Sequence, residues 1–224
     1  MTLLPHGPIE EKFPDVFLVR GSFNAGRGVR FDRNMTIVRK GGELVAFNSV
    51  RLSPDGEAEL AKLGKLTHVV RLGAFHGADD PYFVERYGAT LWGPPGTKHK
   101  PGIAAQDLTS ANTPLAGDVF RFEAGKHPEA AMILPGGILV VCDSYQNWTT
   151  LKTCSWLARR MMPIMGFGPT VIGKPWVKAM GPGIRADFDR LVQQPFKHLI
   201  PAHGTVLEEH AVAGLRTAIA KRFI

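Results

Sequence analysis

Residues 130–143 decide the fold, and they read Ala-Ala-Met-Ile-Leu-Pro-Gly-Gly-Ile-Leu-Val-Val-Cys-Asp. Ala130–Leu134 and Ile138–Cys142 are short apolar runs, and the Pro-Gly-Gly between them is typical of a tight turn. The stretch therefore predicts a buried β-hairpin. Asp143 follows the second strand directly, and a carboxylate that leaves a buried strand needs a partner. We expect Asp143 at a sheet edge that faces a cleft, either as a metal ligand or satisfied by the hydroxyl of Ser144 or by backbone donors.

Strands and helices alternate on both sides of this hairpin. Before it, the pattern predicts helices after Ser53 and over Asp79–Tyr87, a long loop at 93–115, and strands at Val16–Arg20, Asn34–Arg39, Glu43–Asn48, Thr67–Leu72 and Thr90–Trp92. After it, the pattern predicts a helical segment around Trp148–Met161, a Gly-, Pro- and Met-rich loop, a helix at Ile184–Val192, a strand at Lys197–Pro201, and a last helix with a capping box of Thr205 and Glu208. The sequence has no Gly-x-Gly-x-x-Gly fingerprint of a dinucleotide-binding fold. This order suits an α/β (α+β) sandwich, in which two sheets pack face to face with helices outside.

Length and composition indicate a globular protein with a large core. The 224 residues, 44% of them hydrophobic, suit one domain or two small ones, and we predict a single domain over residues 1–224. The chain has no run of eighteen apolar residues, so we expect neither a membrane span nor a membrane partner. Its first residues have no basic and apolar regions of a secretory signal. Cys142 and Cys154 do not make a disulfide framework, and a reduced, cytoplasmic protein fits best.

The net charge of +7 and the pI near 9.6 permit attraction to anionic partners. The basic residues are scattered along the chain, and they form no basic helix interleaved with aromatic residues. This distribution is typical of a solvated basic surface rather than of a nucleic-acid groove. We therefore expect a small-molecule substrate, which could be anionic, and no nucleic-acid partner.

Potential metal ligands are spread over the chain from His76 to His203. They are His76, Asp79 and Asp80 in the segment His-Gly-Ala-Asp-Asp, followed by His127, Asp143 and His203. Imidazole and carboxylate groups hold zinc or iron at open catalytic sites, so these residues predict a metal centre if the fold brings them together. Each also has a structural interpretation. Asp79 and Asp80 suit a helix start, His203 also sits at a helix start, and His76 and His127 could be ordinary loop residues.

A covalent nucleophile is not favoured by the sequence. Ser144 lacks the Gly-x-Ser-x-Gly elbow that exposes a catalytic serine. Cys142 lies in an apolar run, where a thiol is buried and unreactive.

In order, these landmarks resemble the metallo-β-lactamase fold superfamily. The matching segments are Ala124–His127 before the hairpin, Val141–Asp143 at its end, and Pro201–Gly204 before the last helix. The departure lies at Ala74–Asp80, which keeps one histidine, His76, where the family has three in a His-x-His-x-Asp-His motif. Arg33–Arg39 and Asn48–Val50 further resemble an uncharacterised branch of the superfamily that also lacks the full first motif.

The resemblance implies a four-layer αββα fold and a metal-dependent hydrolase with an incomplete site. In the family's arrangement Asp143 would bridge two metals, His76 and His127 would share the first, and His203 with Asp79 or Asp80 would serve the second. A single metal held by His76, His127 and Asp143 is the alternative. Zinc, or iron or manganese, would bind as one or two ions, or as none if the chemistry has been lost.

The expected reaction is hydrolysis of an ester, lactone, thioester or phosphoester, with Asp79 and Asp80 as the candidate catalytic carboxylates. The competing hypothesis is a non-catalytic protein that kept the fold and binds a small molecule in its pocket.

Overall fold

The computed structural model describes residues 3–26, 28–151 and 153–223. Within these residues the chain forms eleven strands and six helices. The strands are β1 (Ile9–Phe13), β2 (Val16–Asn24), β3 (Arg30–Lys40), β4 (Glu43–Phe47), β5 (Lys65–Val70), β6 (Thr90–Gly93), β7 (Ala105–Asp107), β8 (Asp118–Arg121), β9 (Ala130–Leu134), β10 (Ile138–Val140) and β11 (His198–Ile200). The helices are α1 (Pro54–Leu63), α2 (Asp80–Tyr87), α3 (Trp156–Ile164), α4 (Lys174–Met180), α5 (Ile184–Leu191) and α6 (Ala211–Arg222).

The first sheet contains seven strands in chain order, β1 to β7. β1 to β4 form an antiparallel meander, and Gly41 and Gly42 make the two-residue turn between β3 and β4 with φ angles of 57° and 84°. Positive φ at both positions is what a tight hairpin turn needs, which explains the glycine pair. β4 to β7 run parallel, with α1 and α2 as crossovers, and α1 begins at the predicted N-cap Ser53. The crossovers place the loop that carries His76 at the carboxyl end of β5.

The second sheet has four strands in the order β11, β10, β9, β8. Its centre is the predicted hairpin, in which Ile138 pairs with Leu134 and Val140 with Met132. β11 pairs with β10 in parallel, so the segments after these two strands leave the sheet at the same edge. That edge carries Asp143 and His203.

Apolar side chains between the two sheets form the central core. Val45, Phe47 and Val70 of the first sheet belong to one buried cluster with Met132 and Val140 of the second. A second cluster lies between the first sheet and helices α1 and α2, and a third lies between the second sheet and helices α4 to α6. The layers are therefore helix, sheet, sheet, helix, and the predicted αββα sandwich is confirmed.

Several predicted boundaries were wrong. The helical segment expected around Trp148 begins only at Trp156, and α4 lies inside the segment predicted as a loop. The last helix begins at Ala211 and not after Thr205, because Leu207 pairs back onto Leu199 with N–O distances of 2.8 and 2.9 Å. The φ angle of +63° at Glu209 also interrupts helical geometry before α6.

Within the part of the chain that the structure describes, no helix is both long and apolar enough to cross a membrane. Cys142 and Cys154 are buried free thiols.

Candidate metal centre

Three of the six candidate residues meet at one point between the sheets. His76 lies in the loop between β5 and α2, Asp143 follows β10, and His203 follows β11. Nε2 of His76 lies 3.2 Å from Nε2 of His203 and 3.4 Å from Oδ1 of Asp143, and Nε2 of His203 lies 3.1 Å from the same oxygen. These three residues are the group of potential metal ligands found among the described residues.

The His203 ring is oriented by the strand that faces it. Nδ1 of His203 donates to the backbone carbonyl of Asp32 in β3, at 2.8 Å. A carbonyl can only accept, so Nδ1 carries the proton in the neutral ring and Nε2 presents a lone pair to the cluster. Trp148 stacks on the ring at 5.5 Å between centroids, and Phe23 contacts it at 5.6 Å. This arrangement resembles the outer-shell contacts that orient histidines bound to metals.

Asn34 holds the loop that carries His203. Its side-chain amide donates to the carbonyls of Pro201 and Gly204 at 2.8 and 2.7 Å, and its backbone N–H donates to Ala202 at 2.7 Å. Three hydrogen bonds from one buried residue therefore tie the 201–204 loop to β3.

Asp143 is 8% exposed. Burial alone would raise the pKa of its carboxyl, but the charges and hydrogen bonds of His76 and His203 together outweigh burial and hold the pKa well below its usual value. The neighbouring Glu129 differs, because burial first and the charge of Asp143 second raise the pKa of the Glu129 carboxyl well above its usual value. Glu129 accepts hydrogen bonds from the Ser144 N–H and from Nε1 of Trp176 at 2.9 and 3.3 Å. Of the two buried carboxyls, Asp143 is the one that stays ionised.

The donor set fits a metal ion. Tetrahedral zinc with ligand bonds of 2.0–2.1 Å separates its ligand atoms by about 3.3–3.4 Å, and the three observed separations are 3.1, 3.2 and 3.4 Å. Two imidazoles and one carboxylate leave coordination positions open, as catalytic rather than structural zinc sites do. The same donors suit iron or manganese. Without a metal ion, these contacts require a proton on Nε2 of His76 or of His203, which then pairs with Oδ1 of Asp143.

Glycine at position 77 is needed to place the His76 loop. Gly77 has a φ angle of +100°, and a Cβ there would lie 2.6 Å from Oδ2 of Asp80 and 2.8 Å from Arg71. Any larger residue would therefore both strain the backbone and collide with its neighbours. The ring of His76 depends on this turn for its approach to Asp143.

Asp79 and Asp80 lie outside the cluster. The Asp79 carboxylate pairs with Arg33 in the interior and accepts the backbone N–H of Arg51 at 2.9 Å. The Asp80 carboxylate accepts the Ser49 hydroxyl at 2.6 Å, and burial raises its pKa. Asp79 also lines the cavity beside the cluster. The catalytic role assigned to both residues stays a prediction.

His127 is exposed, and its ring contacts the ring of Phe75 edge-on, with 5.1 Å between centroids. It lies outside the cluster of His76, Asp143 and His203. A role for His127 as a metal ligand likewise stays a prediction.

The cluster opens into a cavity of about 500 Å³. Its wall includes all three residues of the cluster, together with Phe23, Arg33, Arg51 and Asp79. The cavity can thus bring a small molecule against the open face of the centre.

Four residues that support the centre were missed in the sequence. Asp32, Arg33 and Asn34 are buried polar residues in the middle of β3, and Trp148 packs on His203. A run of three polar residues inside a strand with apolar flanks was the available signal, because buried polar groups must find partners.

Solved structures of metallo-β-lactamases share this architecture. The DIM-1 metallo-β-lactamase matches with a TM-score of 0.69 at 13% identity over 98% of each chain. FIM-1 from Pseudomonas aeruginosa, in its mono-zinc form, matches with a TM-score of 0.67 at 13% identity over 98% of this chain and 96% of its own. A metallo-β-lactamase from Pontibacter korlensis matches with a TM-score of 0.64 at 14% identity over 96% of this chain and 99% of its own.

No family model and no curated protein sequence matches the chain. By its three-dimensional structure the chain has the metallo-β-lactamase fold, which confirms the resemblance seen in the ordered sequence landmarks. At this level of identity the likeness is one of fold.

Proposed function

We propose that the protein is a metal-dependent hydrolase with a single metal ion held by His76, Asp143 and His203. The observation that carries the proposal is the convergence of three ligand atoms within 3.1–3.4 Å at the wall of a cavity. The mono-zinc form of FIM-1, a protein of the same fold, supports a one-metal centre. His76 comes from a loop of the first sheet and the other two ligands from the second, which supports a single domain over residues 1–224.

A metal ion bound there would act as a Lewis acid that polarises the scissile carbonyl and makes a water molecule more acidic. The chain's own residues do the positioning. The Asp32 carbonyl and the Trp148 ring hold His203 in one orientation, and the two imidazoles keep Asp143 ionised. Arg33, neutralised by Asp79, forms a polar part of the cavity wall.

The overall reaction is addition of water across the acyl bond. The water oxygen bonds to the acyl carbon, the bond to the leaving oxygen or sulfur breaks, and the leaving group takes up a proton. Of the two predicted catalytic carboxylates, Asp79 is the better candidate, because it lines the larger cavity and Asp80 does not.

The competing function is binding of a small molecule without catalysis. It is favoured by one observation: Nε2 of His76 and Nε2 of His203 lie 3.4 and 3.1 Å from Oδ1 of Asp143. Imidazole rings protonated at Nε2 would pair with that carboxylate and stabilise the cluster without a metal.

Metal content separates the two functions. Protein purified without a histidine tag and without chelators is expected to carry about one equivalent of zinc, iron or manganese by elemental analysis. Asp143→Asn and His203→Gln should lose that metal, and His127→Gln should retain it as the matched control. Loss of metal in His127→Gln would show that the ligand set is wrong. A wild-type protein without metal, which takes up none on titration, would favour the binding function.

A further inference from the structure

A second, apolar cavity shares Phe75 and Asp143 with the larger cavity at the cluster. Its volume is about 280 Å³, and its wall includes Phe167, Pro175, Trp176 and Ala179 as well as Asp143. We call it the apolar groove. Because Asp143 lines both the apolar groove and the larger cavity, a molecule at the cluster can extend into both.

Phe75 is a lining residue that the two cavities have in common. It lines both, and it is 50% exposed although it directly precedes His76. A large aromatic side chain left half-exposed beside a candidate centre is a feature of apolar binding surfaces. An apolar group lying in the groove would cover it.

The polar side chains that line the groove are few, and they are Asp143 and Gln146. Oε1 of Gln146 accepts the Trp148 Nε1–H at 2.8 Å, so what Gln146 can offer to the groove is its NH₂ donor. Asp143 is the ionisable residue among those that line the groove. An alkyl or aryl group in the groove would meet the aromatic and aliphatic walls of Phe75, Phe167 and Trp176.

We propose that the apolar groove binds the acyl chain or aryl ring of an ester, thioester or lactone whose carbonyl lies at the cluster. This proposal rests on the proposed hydrolase function and names the part of the substrate that the groove binds. The leaving group then lies in the larger cavity. Each methylene buried in the groove should raise kcat/KM by about fourfold, until the groove is full.

The first test is a chain-length series. Rates of hydrolysis of p-nitrophenyl acetate, butyrate, hexanoate and octanoate are measured with the metal-loaded protein, alongside p-nitrophenyl phosphate. We expect kcat/KM to rise along the ester series and the phosphate to be a poor substrate. Ala179 lies in α4 on the groove wall, and Ala179→Phe should fill the groove. This variant should abolish the rise of kcat/KM with chain length.

The control is Lys178→Phe, which adds the same side chain at an exposed position of the same helix outside the groove. It should keep the chain-length dependence of the wild type. A series without chain-length dependence, or a phosphate hydrolysed faster than the octanoate ester, would overturn the proposal.

A second measurement separates this proposal from the hydrolase function. Binding of octanoate and of acetate to the wild-type protein is measured by calorimetry, with and without metal. Octanoate should bind at least tenfold more tightly than acetate, and Ala179→Phe should remove the difference. If no ester is hydrolysed but this preference holds, the groove stands and the hydrolase function fails. If esters are hydrolysed but octanoate binds no more tightly than acetate, the groove proposal fails alone.

Discussion

Replacing Asn34 by alanine should destabilise the protein and loosen the candidate centre together. Asn34 is 1% exposed, and its amide donates to two carbonyls of the 201–204 loop, at 2.8 and 2.7 Å. Alanine removes both bonds and leaves both acceptors without this donor in the interior. Each lost bond costs roughly 1–2 kcal/mol when its partner stays buried, so we expect the free energy of unfolding to fall by roughly 2–4 kcal/mol. The backbone N–H bond to Ala202 remains, so β3 and the loop stay adjacent.

The assay is urea denaturation followed by tryptophan fluorescence, with Asn112→Ala as the matched control. Asn112 makes one side-chain bond to the Asp107 carbonyl, at 3.1 Å, on the exposed surface. Its loss should change the free energy of unfolding by no more than about 0.5 kcal/mol. Because the 201–204 loop carries His203, Asn34→Ala should also weaken metal binding by roughly 10–100-fold. If the two variants have the same urea midpoint, the bonds of Asn34 do not hold the loop, and the reasoning is refuted.

Three further predictions concern the residues around the centre. Gly77→Ala should weaken metal binding by roughly tenfold or more, whereas the control Gly102→Ala should leave it unchanged. Both glycines have positive φ, but of the two only Gly77 has neighbours with which a Cβ would collide. Equal metal affinities of the two variants would contradict the argument. Burial raises the pKa of the Asp80 carboxyl, so its ionisation opposes folding. The free energy of unfolding is therefore highest at acid pH, where Asp80 is neutral, and it falls as the pH rises above about 4. Asp80→Asn should therefore have a higher urea midpoint than the wild type at pH 7 and the same midpoint below pH 3. A difference between the two midpoints that does not change with pH would argue against this. Burial raises the pKa of both thiols, Cys142 and Cys154. Neither should react with a disulfide reagent in the native protein, and both should react in urea. A fast reaction of the native protein would contradict this and would make a catalytic cysteine a candidate again.

The one histidine in the segment from Ala74 to Asp80 agrees with the one cluster of potential ligands among the described residues. Where the superfamily's motif has three histidines, this chain has His76, and that ring joins Asp143 and His203 in one group of potential ligands among the described residues. Asp79 and Asp80, which could have supplied further ligands, have their carboxylates bonded to Arg33 and Ser49. The ion pair of Asp79 with Arg33 and the hydrogen bond from Ser49 to Asp80 hold the segment that follows His76.

The resemblance read from the sequence was correct for the fold but ranked the candidate ligands differently from the geometry. For a one-metal site it favoured His76, His127 and Asp143, whereas the structure brings His203 to the other two and leaves His127 exposed against Phe75. In the sequence, His127 and His203 both lie in segments that match the family's order, Ala124–His127 and Pro201–Gly204. What distinguishes them is their place in the fold, because His203 is buried in the cluster and His127 is exposed outside it. Spacing along the chain does not encode this difference.

The sequence by itself determined the hairpin of β9 and β10, most of the strands, and the α/β sandwich. Apolar periodicity and turn residues act over a few neighbouring positions, so they can be read locally. The tertiary structure decided which ligands meet. His76 and His203 are 127 positions apart, and the Asp32 carbonyl that orients His203 is 171 positions from it. Such contacts form only when β3 packs against the loop after β11, and the direction of a ring inside that packing depends on every neighbour at once.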